Sequence, residues 1–376
     1  MALRQSPLGE MDKIMRLKEV YQDKKIFITG HTGFKGTWLG LWLQKLGAKV
    51  YGYSLAPSST PNHFSLIQED NNIHSCIADI NDIQKLQSTL QEVEPDIIFH
   101  LAAQPLVRES YRDPQYTFQT NIMGVFNLLQ SARSLKNLKA IINVTTDKVY
   151  ENKEQIWSYR ENDPLGGYDP YSASKACSEI ITDSMKRSFF NPNDFEKTHQ
   201  VLIATARSGN VIGGGDWSKD RLIVDLALSA TSNQPALIRS PRATRPWQHV
   251  LEPLYGYLLL GEKLLKKETQ YSTSFNFGPE SKDNLKVEQI IEIAKSEWDQ
   301  IDFSIQDNDP NNPHEAELLM LDPTKAQRLL KWQTIWDAKE AIEQTIQWYK
   351  AFYTHNKILT LQQLEKYISQ IEELSQ

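Results

Sequence analysis

Residues 25–36 read KIFITGHTGFKG, and this stretch decides the fold. The apolar run Lys25–Thr29 predicts a buried strand, and a helix is predicted over Thr37–Leu46 directly after the glycines. Gly30 permits a tight turn, Gly33 lets the backbone approach a pyrophosphate, and Gly36 allows close helix–strand packing. A glycine loop between the first strand and the first helix predicts a dinucleotide site, although the spacing is GxxGxxG rather than GxGxxG.

The chain continues as short apolar runs that alternate with longer amphipathic ones. Alternating strands and helices predict an α/β protein with a Rossmann-like, doubly wound parallel sheet. Nearly continuous apolar strands are typical of a sheet that is buried on both faces. Strands are predicted at 49–54, 73–80, 96–103, 140–146 and 201–206, and helices at 82–92, 116–136 and 170–188.

Changes in sequence pattern and composition divide the chain into four parts. We predict an N-terminal tail over 1–23 and a dinucleotide-binding domain over 24–206. Prolines and glycines interrupt the alternation after Arg207. We therefore expect 207–337 to form mainly a smaller substrate-binding lobe, with segments that return to the first lobe. Residues 338–376 are predicted to be a helical tail.

Composition excludes several classes of protein. The 376 residues carry a net charge of −6, which argues against a general nucleic-acid binder. Cys76 and Cys177 are far apart and have no Cys/His spacing typical of a metal site, so we expect no metal and no disulfide framework. Residues 1–23 lack the apolar core of a signal peptide, and no apolar stretch is long enough for a bilayer. These features predict a cytoplasmic protein that does not contact membranes.

The end of the second strand bears on the choice of dinucleotide. An acid usually follows that strand when the ligand is NAD, but residues 51–55 read YGYSL. No arginine stands there to favour NADP, so NAD is predicted. Asp79 and Ile80 end the third strand and are expected at the adenine edge; Asp79 could instead cap a helix. Further cofactor contacts are predicted in the glycine loop at Gly30, Thr32, Gly33, Phe34, Lys35 and Gly36.

Tyr171 and Lys175 form a YxxxK pair whose members share one face of a predicted helix. A nearby ammonium favours the phenolate and lowers the pKa of a tyrosine from about 10. Such a phenolate can accept a hydroxyl proton while hydride leaves the same carbon. Thr146, at the end of the fifth strand, completes this predicted catalytic set. The YxxxK spacing alone would also suit an ordinary helix.

At this point the chain resembles the extended short-chain dehydrogenases/reductases, and in them the nucleotide-sugar 4,6-dehydratase branch, above all its members that act on CDP-glucose. The resemblance covers roughly Lys24 to Trp348. The order and separation of the motifs are more specific than any one of them. The motifs are Gly30–Gly36, Leu101–Gln104, Thr145–Tyr150, Tyr171–Lys175, Gly209–Trp217 and Arg245–Val250.

The resemblance assigns roles to the pair that follows Thr146. Related dehydratases carry an acid–base pair here; it is Asp-Glu in those acting on dTDP-glucose and Asp-Lys in those acting on CDP-glucose, whereas epimerases generally lack it. Asp147 is thereby expected to protonate the departing C6 hydroxyl, and Lys148 to remove the C5 proton. Lys148 must be deprotonated and Asp147 protonated to do so. The resemblance implies a cycle of C4 oxidation, loss of water and return of hydride to C6.

The resemblance also implies the remaining contacts. Leu101, Ala102 and Ala103 are expected to line the cofactor, Gln104 to face the nicotinamide or the sugar, and Thr120 to reach the cofactor. A homodimer is expected through the helices 116–136 and 170–188, although their apolar faces could simply be core. Contacts to the diphosphate, sugar or base of a nucleotide sugar such as CDP-glucose are expected from Asn210, Arg221, Arg245, His249, Asn276 and His314; His249 could equally be structural.

Two other interpretations remain open at this stage. The same scaffold could serve a dehydratase or a 4-epimerase acting on a UDP- or dTDP-hexose. A different class of protein, a sensor that binds NAD without catalysis, usually loses the tyrosine or the lysine. Thr146, Tyr171 and Lys175 are all present here, which argues against a sensor. No residue pattern distinguishes cytosine from uracil or thymine.

Overall fold

The structure is a computed structural model. It describes residues 13–232, 234–238, 241, 244–280, 283–305 and 318–374. Within these ranges the strands, in chain order, are β1 Lys25–Thr29, β2 Lys49–Ser54, β3 His74–Ile77, β4 Ile97–His100, β5 Ala140–Val144, β6 Leu202–Ser208, β7 Asn210–Ile212, β8 Ala236–Ile238, β9 Thr244–His249, β10 Ser274–Phe277, β11 Asn284–Lys286 and β12 Phe303–Ile305.

The helices pack on both faces of the main sheet and in the smaller lobe. In chain order they are α1 Lys13–Tyr21, α2 Phe34–Lys45, α3 His63–Leu66, α4 Ile83–Val93, α5 Val107–Arg112, α6 Pro114–Phe118, α7 Gly124–Ala132, α8 Pro170–Phe189, α9 Leu222–Ser229, α10 Leu251–Leu265, α11 Val287–Glu297, α12 Ala338–His355 and α13 Thr360–Glu373. No helix in the described ranges is long and apolar enough to cross a membrane.

Seven parallel strands form the main sheet in the order β10-β6-β5-β4-β1-β2-β3. The chain builds β1 to β3 in one direction and then continues with β4 on the other side of β1. This reversal is a topological switch point, and in open α/β sheets ligands bind at the carboxyl ends of the strands there. The predicted doubly wound parallel sheet is confirmed.

Burial on both faces explains why the central strands are apolar. All positions of β4 and β5 are buried. One face packs against Trp42 of α2, Leu258 of α10 and Tyr367 of α13. The other face packs against Leu86 of α4 and Leu128 of α7. Each such side chain contributes about 1.5–3 kcal/mol when it is fully buried.

Several predicted elements match the structure, and others need correction. Strands 25–29 and 49–54 are confirmed at both ends, and the strand predicted over 73–80 is shorter, at His74–Ile77. The helix predicted over 116–136 is interrupted by a π-helical turn at Gln119–Met123. No strand had been predicted at Ser274–Phe277, which joins the sheet beside β6.

The first 23 residues contain more structure than a tail implies. Helix α1 buries Leu17 and Tyr21, and the Tyr21 hydroxyl donates to the Leu258 carbonyl over 2.8 Å.

The smaller lobe contains the sheets β11-β9-β7 and β12-β8, packed with α9, α11 and α12. The chain ends in two helices, α12 and α13, as the sequence predicts. The domain boundaries themselves stay a prediction.

The glycine loop brings α2 against the end of β1. Gly30 has a φ of +77°, a conformation that favours glycine. A Cβ on Gly36 would lie 2.1 Å from the Gly30 carbonyl oxygen, which no local shift can relieve because the contact is to backbone. A Cβ on Gly33 would meet the same oxygen at 3.3 Å. The close approach therefore depends on Gly36 far more than on Gly33.

We predict that Gly36→Ala lowers the free energy of unfolding by about 3 kcal/mol or more, because overpacking against rigid backbone is costly. Gly33→Ala, the matched control in the same loop, is expected to cost less than about 1 kcal/mol. Thermal or urea unfolding of both variants measures the difference. Equal destabilisation by the two substitutions would contradict this account of the loop.

Candidate active site

A cavity of about 1240 Å³ opens at the carboxyl ends of the central strands, where β1, β4, β5 and β6 end. It unites most of the residues that the sequence singles out. The predicted residues that line it are Gly30, Thr32, Gly33, Phe34, Lys35, Gly36, Asp79, Ile80, Leu101, Ala102, Ala103, Gln104, Thr120, Thr146, Asp147, Lys148, Tyr171, Lys175, Asn210 and Arg221.

The end of the cavity beside the glycine loop has the features that a dinucleotide needs. The loop leads into the N-terminus of α2, whose first N–H groups favour phosphate. The Thr32 hydroxyl donates to the Leu55 carbonyl over 2.8 Å, which ties the loop to the end of β2. The buried Thr120 hydroxyl faces this cavity from the π-helical turn and has no hydrogen-bond partner. The residues present therefore fit a bound dinucleotide.

Asp79 and Gln104 lie where predicted but are engaged locally. Asp79 lines the cavity, and its Oδ1 accepts from the backbone N–H of Asn81 over 2.9 Å. The Gln104 amide donates to the Thr117 hydroxyl over 2.8 Å, and its oxygen accepts from the Leu106 N–H over 2.6 Å. Gln104 thus stabilises its own loop, instead of directing its amide at the nicotinamide or the sugar as expected.

Thr146, Asp147 and Lys148 lie on a short turn after β5. The turn is a 3₁₀ helix over Asp147–Val149, capped by the Thr146 side chain, which accepts from the Lys148 N–H over 3.3 Å. The Thr146 hydroxyl donates to Asp147 Oδ1 over 2.8 Å. Asp147 is 3 % exposed and Lys148 is half-buried. Both residues line the cavity, so an acid and an amine reach the same space.

Tyr171 and Lys175 enter the cavity from the first turns of α8. The Asp169 carboxylate caps this helix by accepting from the Ser172 N–H over 2.9 Å. The Lys175 ammonium donates to the Val144 carbonyl at the end of β5 over 3.3 Å. Burial lowers the pKa of Lys175 to about 8, and the charge of Glu179 opposes that change.

The pKa of Tyr171 corrects an expectation. Burial raises it to about 12, although a hydrogen bond with Thr146 and the charge of Arg221 lower it. The sequence had led us to expect a pKa below 10 because of Lys175. Loss of hydration raises the pKa of Tyr171 more than nearby positive charge lowers it, because a buried phenolate gives up its contacts with water.

Lys35 places a second buried amine beside these groups. Its ammonium donates to the Ser208 hydroxyl over 2.8 Å. Burial and the charges of Lys175 and Arg221 lower the pKa of Lys35 to about 7, while Asp147 opposes them. A cation-rich pocket of this kind suits the anionic phosphates of a nucleotide or dinucleotide.

Two predicted substrate residues lie outside the cavity. His249 is fully buried between Trp38 and Trp336, with ring centroids 5.8 and 4.7 Å away, and burial lowers its pKa to about 3. Asn276 is also fully buried; it accepts from the Tyr150 hydroxyl over 2.7 Å and donates to the Tyr159 carbonyl over 2.9 Å. Both side chains stabilise the interior, and neither lines the cavity where the sequence had placed them as substrate contacts.

Two further predictions fall on parts of the chain that the structure does not describe. They are His314 and the side chain of Arg245. Arg221 and Asn210 line both the main cavity and a neighbouring cavity of about 200 Å³ between β7, α9 and α12. Across the described residues, no group of three His, Cys, Asp or Glu side chains could hold a metal ion.

Sequence reasoning missed a buried ion pair beneath the site. The Arg207 guanidinium and the Glu179 carboxylate are each 3 % exposed and lie 2.9 Å apart. Glu179 follows Lys175 by one helical turn, and this i,i+4 spacing was the available signal. Arg207 is the only charged residue of β6, and nothing in the sequence indicates its partner.

The fold and the cavity define an extended short-chain dehydrogenase/reductase: a glycine loop at the switch point of a parallel sheet, with Thr146, Tyr171 and Lys175 around the same space. The model of the GDP-mannose 4,6 dehydratase family matches residues 27–345. The chain belongs to this family.

Individual relatives agree with this assignment. A CDP-glucose 4,6-dehydratase of Salmonella typhimurium is 46% identical over 335 residues, which cover 89% of this chain and 93% of the relative. A dTDP-glucose 4,6-dehydratase of Bacillus anthracis in complex with NAD is similar in fold, with a TM-score of 0.72, 18% identity and coverage of 88% and 98%. An epimerase of Methanothermobacter thermautotrophicus has a TM-score of 0.77, 22% identity and coverage of 91% and 96%.

Proposed function

We propose that this protein is an NAD-dependent CDP-glucose 4,6-dehydratase, which converts CDP-glucose to CDP-4-keto-6-deoxyglucose with loss of water. The observation that carries the proposal is the meeting of Asp147, Lys148 and Tyr171 in one cavity beside the glycine loop. The 46% identity to a CDP-glucose 4,6-dehydratase over most of both chains supports the substrate.

The first step of the proposed reaction is oxidation at C4. The bound nicotinamide ring supplies the chemistry of accepting a hydride and giving it back. Tyr171 is the proposed base for the C4 hydroxyl proton, and its interaction with Thr146 lowers the pKa of the phenol. Because burial raises the pKa of Tyr171 to about 12, nearby positive charge is needed to make the phenolate accessible. Arg221 lowers this pKa, and Lys175 is proposed to act in the same way.

The second step is elimination across C5 and C6. The 4-ketone makes the C5 hydrogen acidic, and Lys148 is the proposed base that removes it. Asp147 is the proposed acid that protonates the departing C6 hydroxyl. Both residues lie on one short turn and line the same cavity, which supports these two roles. Hydride return to C6 then completes a reaction with no net oxidation.

The rest of the substrate fits the two neighbouring cavities. Arg221 and Asn210 line both of them and are proposed to hold the diphosphate between the sugar and the nucleoside. The cavity of about 200 Å³ is the proposed site of the nucleoside. Arg245 and His314 stay proposed substrate contacts on the strength of the family resemblance.

Two alternatives make different chemical demands. A 4-epimerase needs the tyrosine and the nicotinamide but no acid–base pair for elimination, so Asp147 and Lys148 favour a dehydratase. A sensor needs no catalytic side chains, whereas Thr146, Tyr171 and Lys175 all line this cavity. A dehydratase for UDP- or dTDP-glucose would use the same residues and is distinguished only by substrate.

We also propose that the protein is a cytoplasmic homodimer. Helix α8, the π-helical turn and neighbouring residues carry exposed apolar side chains, including Met123 (46% exposed) and Ile180 (55% exposed). Exposed apolar side chains on these helices support a subunit interface there. Both cysteines in the described chain are free thiols, which agrees with a reducing compartment.

Incubation with separate nucleotide sugars tests the function. We expect CDP-glucose with NAD to give a 4-keto-6-deoxy product, detected by its ultraviolet absorption in alkali, and dTDP- and UDP-glucose to react at least about tenfold more slowly. Product from only UDP- or dTDP-glucose would keep the reaction and reject the CDP assignment. A C4 epimer without the keto product would indicate an epimerase.

Substitution of the proposed base gives a sharper test. We expect Lys148→Met to lower kcat for dehydration about 10²–10⁴-fold, because a positioned base contributes that much. Binding of NAD and the unfolding midpoint should stay unchanged, since Lys148 is only half-buried. Lys153→Met is the control, because that lysine lies on the same segment and pairs with Glu151 at 3.4 Å on the surface. Normal turnover by Lys148→Met would remove Lys148 as the base.

A further inference from the structure

The buried carboxylate of Glu179 accepts four hydrogen bonds. The Thr145 hydroxyl and Arg207 Nε donate to Oε1 over 2.5 and 2.9 Å. The Thr205 hydroxyl and Arg207 Nη2 donate to Oε2 over 2.7 and 2.9 Å. Burial alone would raise the pKa of Glu179, but Arg207 and the two hydroxyls hold it below its usual value. The carboxylate is therefore ionised and fully satisfied between α8, β5 and β6.

This ion pair holds the catalytic turn at both of its ends. Thr145, bound to Glu179, directly precedes Thr146. Tyr150, which directly follows the turn, accepts from Arg207 Nη1 over 2.7 Å at its hydroxyl. The turn that carries Asp147 and Lys148 is thus tied on either side to the same pair of buried charges.

The same carboxylate acts on Lys175 through its charge. Glu179 lies one helical turn from Lys175, and its charge opposes the effect of burial on the pKa of that lysine. Among the described residues, Lys175 also lowers the pKa of two titratable neighbours, Lys35 and His100, and burial lowers the pKa of both. Glu179 is therefore the anion that favours the charged form of Lys175 in this cation-rich pocket.

We propose that Glu179 is a positioning residue for the reaction: through Thr145 it fixes the turn that carries Asp147 and Lys148, and from one helical turn away its negative charge acts on Lys175. The role rests on the proposed dehydratase function. Glu179 does not line the cavity, so it acts through these neighbours rather than by touching the substrate.

Two isosteric variants separate positioning from simple loss of a buried hydrogen bond. Thr145→Val and Thr205→Val each remove one hydroxyl donor from the Glu179 carboxylate and leave the bidentate contact with Arg207 in place. Only Thr145 adjoins the catalytic turn. We expect Thr145→Val to lower kcat with CDP-glucose about tenfold or more, because small misplacements of reacting groups are costly, with KM changed less than about twofold. Thr205→Val should keep kcat within about twofold.

The charge is tested by Glu179→Gln, with the pH profile of kcat as the readout. Loss of the anion lowers the pKa of Lys175 further below about 8, so the ammonium is lost at a lower pH. We expect the alkaline limb of kcat to move down by about half a pH unit or more. Glu262→Gln is the control. Glu262 lies on α10, is as buried as Glu179 and is paired with Arg16 and Lys266. The Glu262→Gln variant should keep the alkaline limb of kcat at the same pH as the wild-type protein.

The outcomes test the proposed dehydratase function and the positioning role of Glu179 separately. Failure of the wild-type protein to dehydrate CDP-glucose would reject the function, whereas the positioning role is judged by ratios between variants of an active enzyme. Equal kcat values for Thr145→Val and Thr205→Val, with an unmoved alkaline limb in Glu179→Gln, would overturn the positioning role. If Glu179→Gln does not fold, the positioning role is judged from Thr145→Val and Thr205→Val alone. Equal kcat values for these two variants would then overturn it.

Discussion

The close approach of α2 to β1 at Gly36 is the constraint on which the rest of the structure depends. A Cβ at this position would lie 2.1 Å from the Gly30 carbonyl oxygen, so only glycine lets the helix begin there. The helix N-terminus then points at the switch point of the sheet, where β4, β5 and β6 also end. The glycine loop, Asp147, Lys148 and Tyr171 line one cavity because the strands before them end at one edge, although more than 100 residues separate the loop from Asp147 in sequence.

The second feature of the site is the concentration of buried cations around few anions. Burial lowers the pKa of Lys35 to about 7 and that of Lys175 to about 8, and the charge of Lys175 lowers the pKa of Lys35 further. Such amines change protonation state within the range in which enzymes work, which is useful in a reaction that moves several protons. The Glu179 carboxylate, paired with Arg207, is a buried negative charge that opposes the lowering of the Lys175 pKa.

Local patterns predicted much of the molecule, and contacts between distant residues account for what they missed. The apolar strands, the glycine loop and the YxxxK pair could be found because each is defined within a few residues. The burial of His249 and Asn276 could not, because it depends on packing against Trp336 and Tyr159 from other parts of the chain. The pairing of Glu179 with Arg207 spans 28 residues and two elements, and the π-helical turn has no sequence signature.

The fate of the C4 hydrogen tests the central claim most directly, because the claim is that one cavity oxidises C4 and reduces C6 with the same hydride. CDP-glucose labelled with deuterium at C4 should give a 4-keto-6-deoxy product that carries the label at C6, as seen by NMR or mass spectrometry. A 4-keto-6-deoxy product without deuterium at C6, with the label lost to the solvent or left on the reduced nicotinamide, would contradict the account.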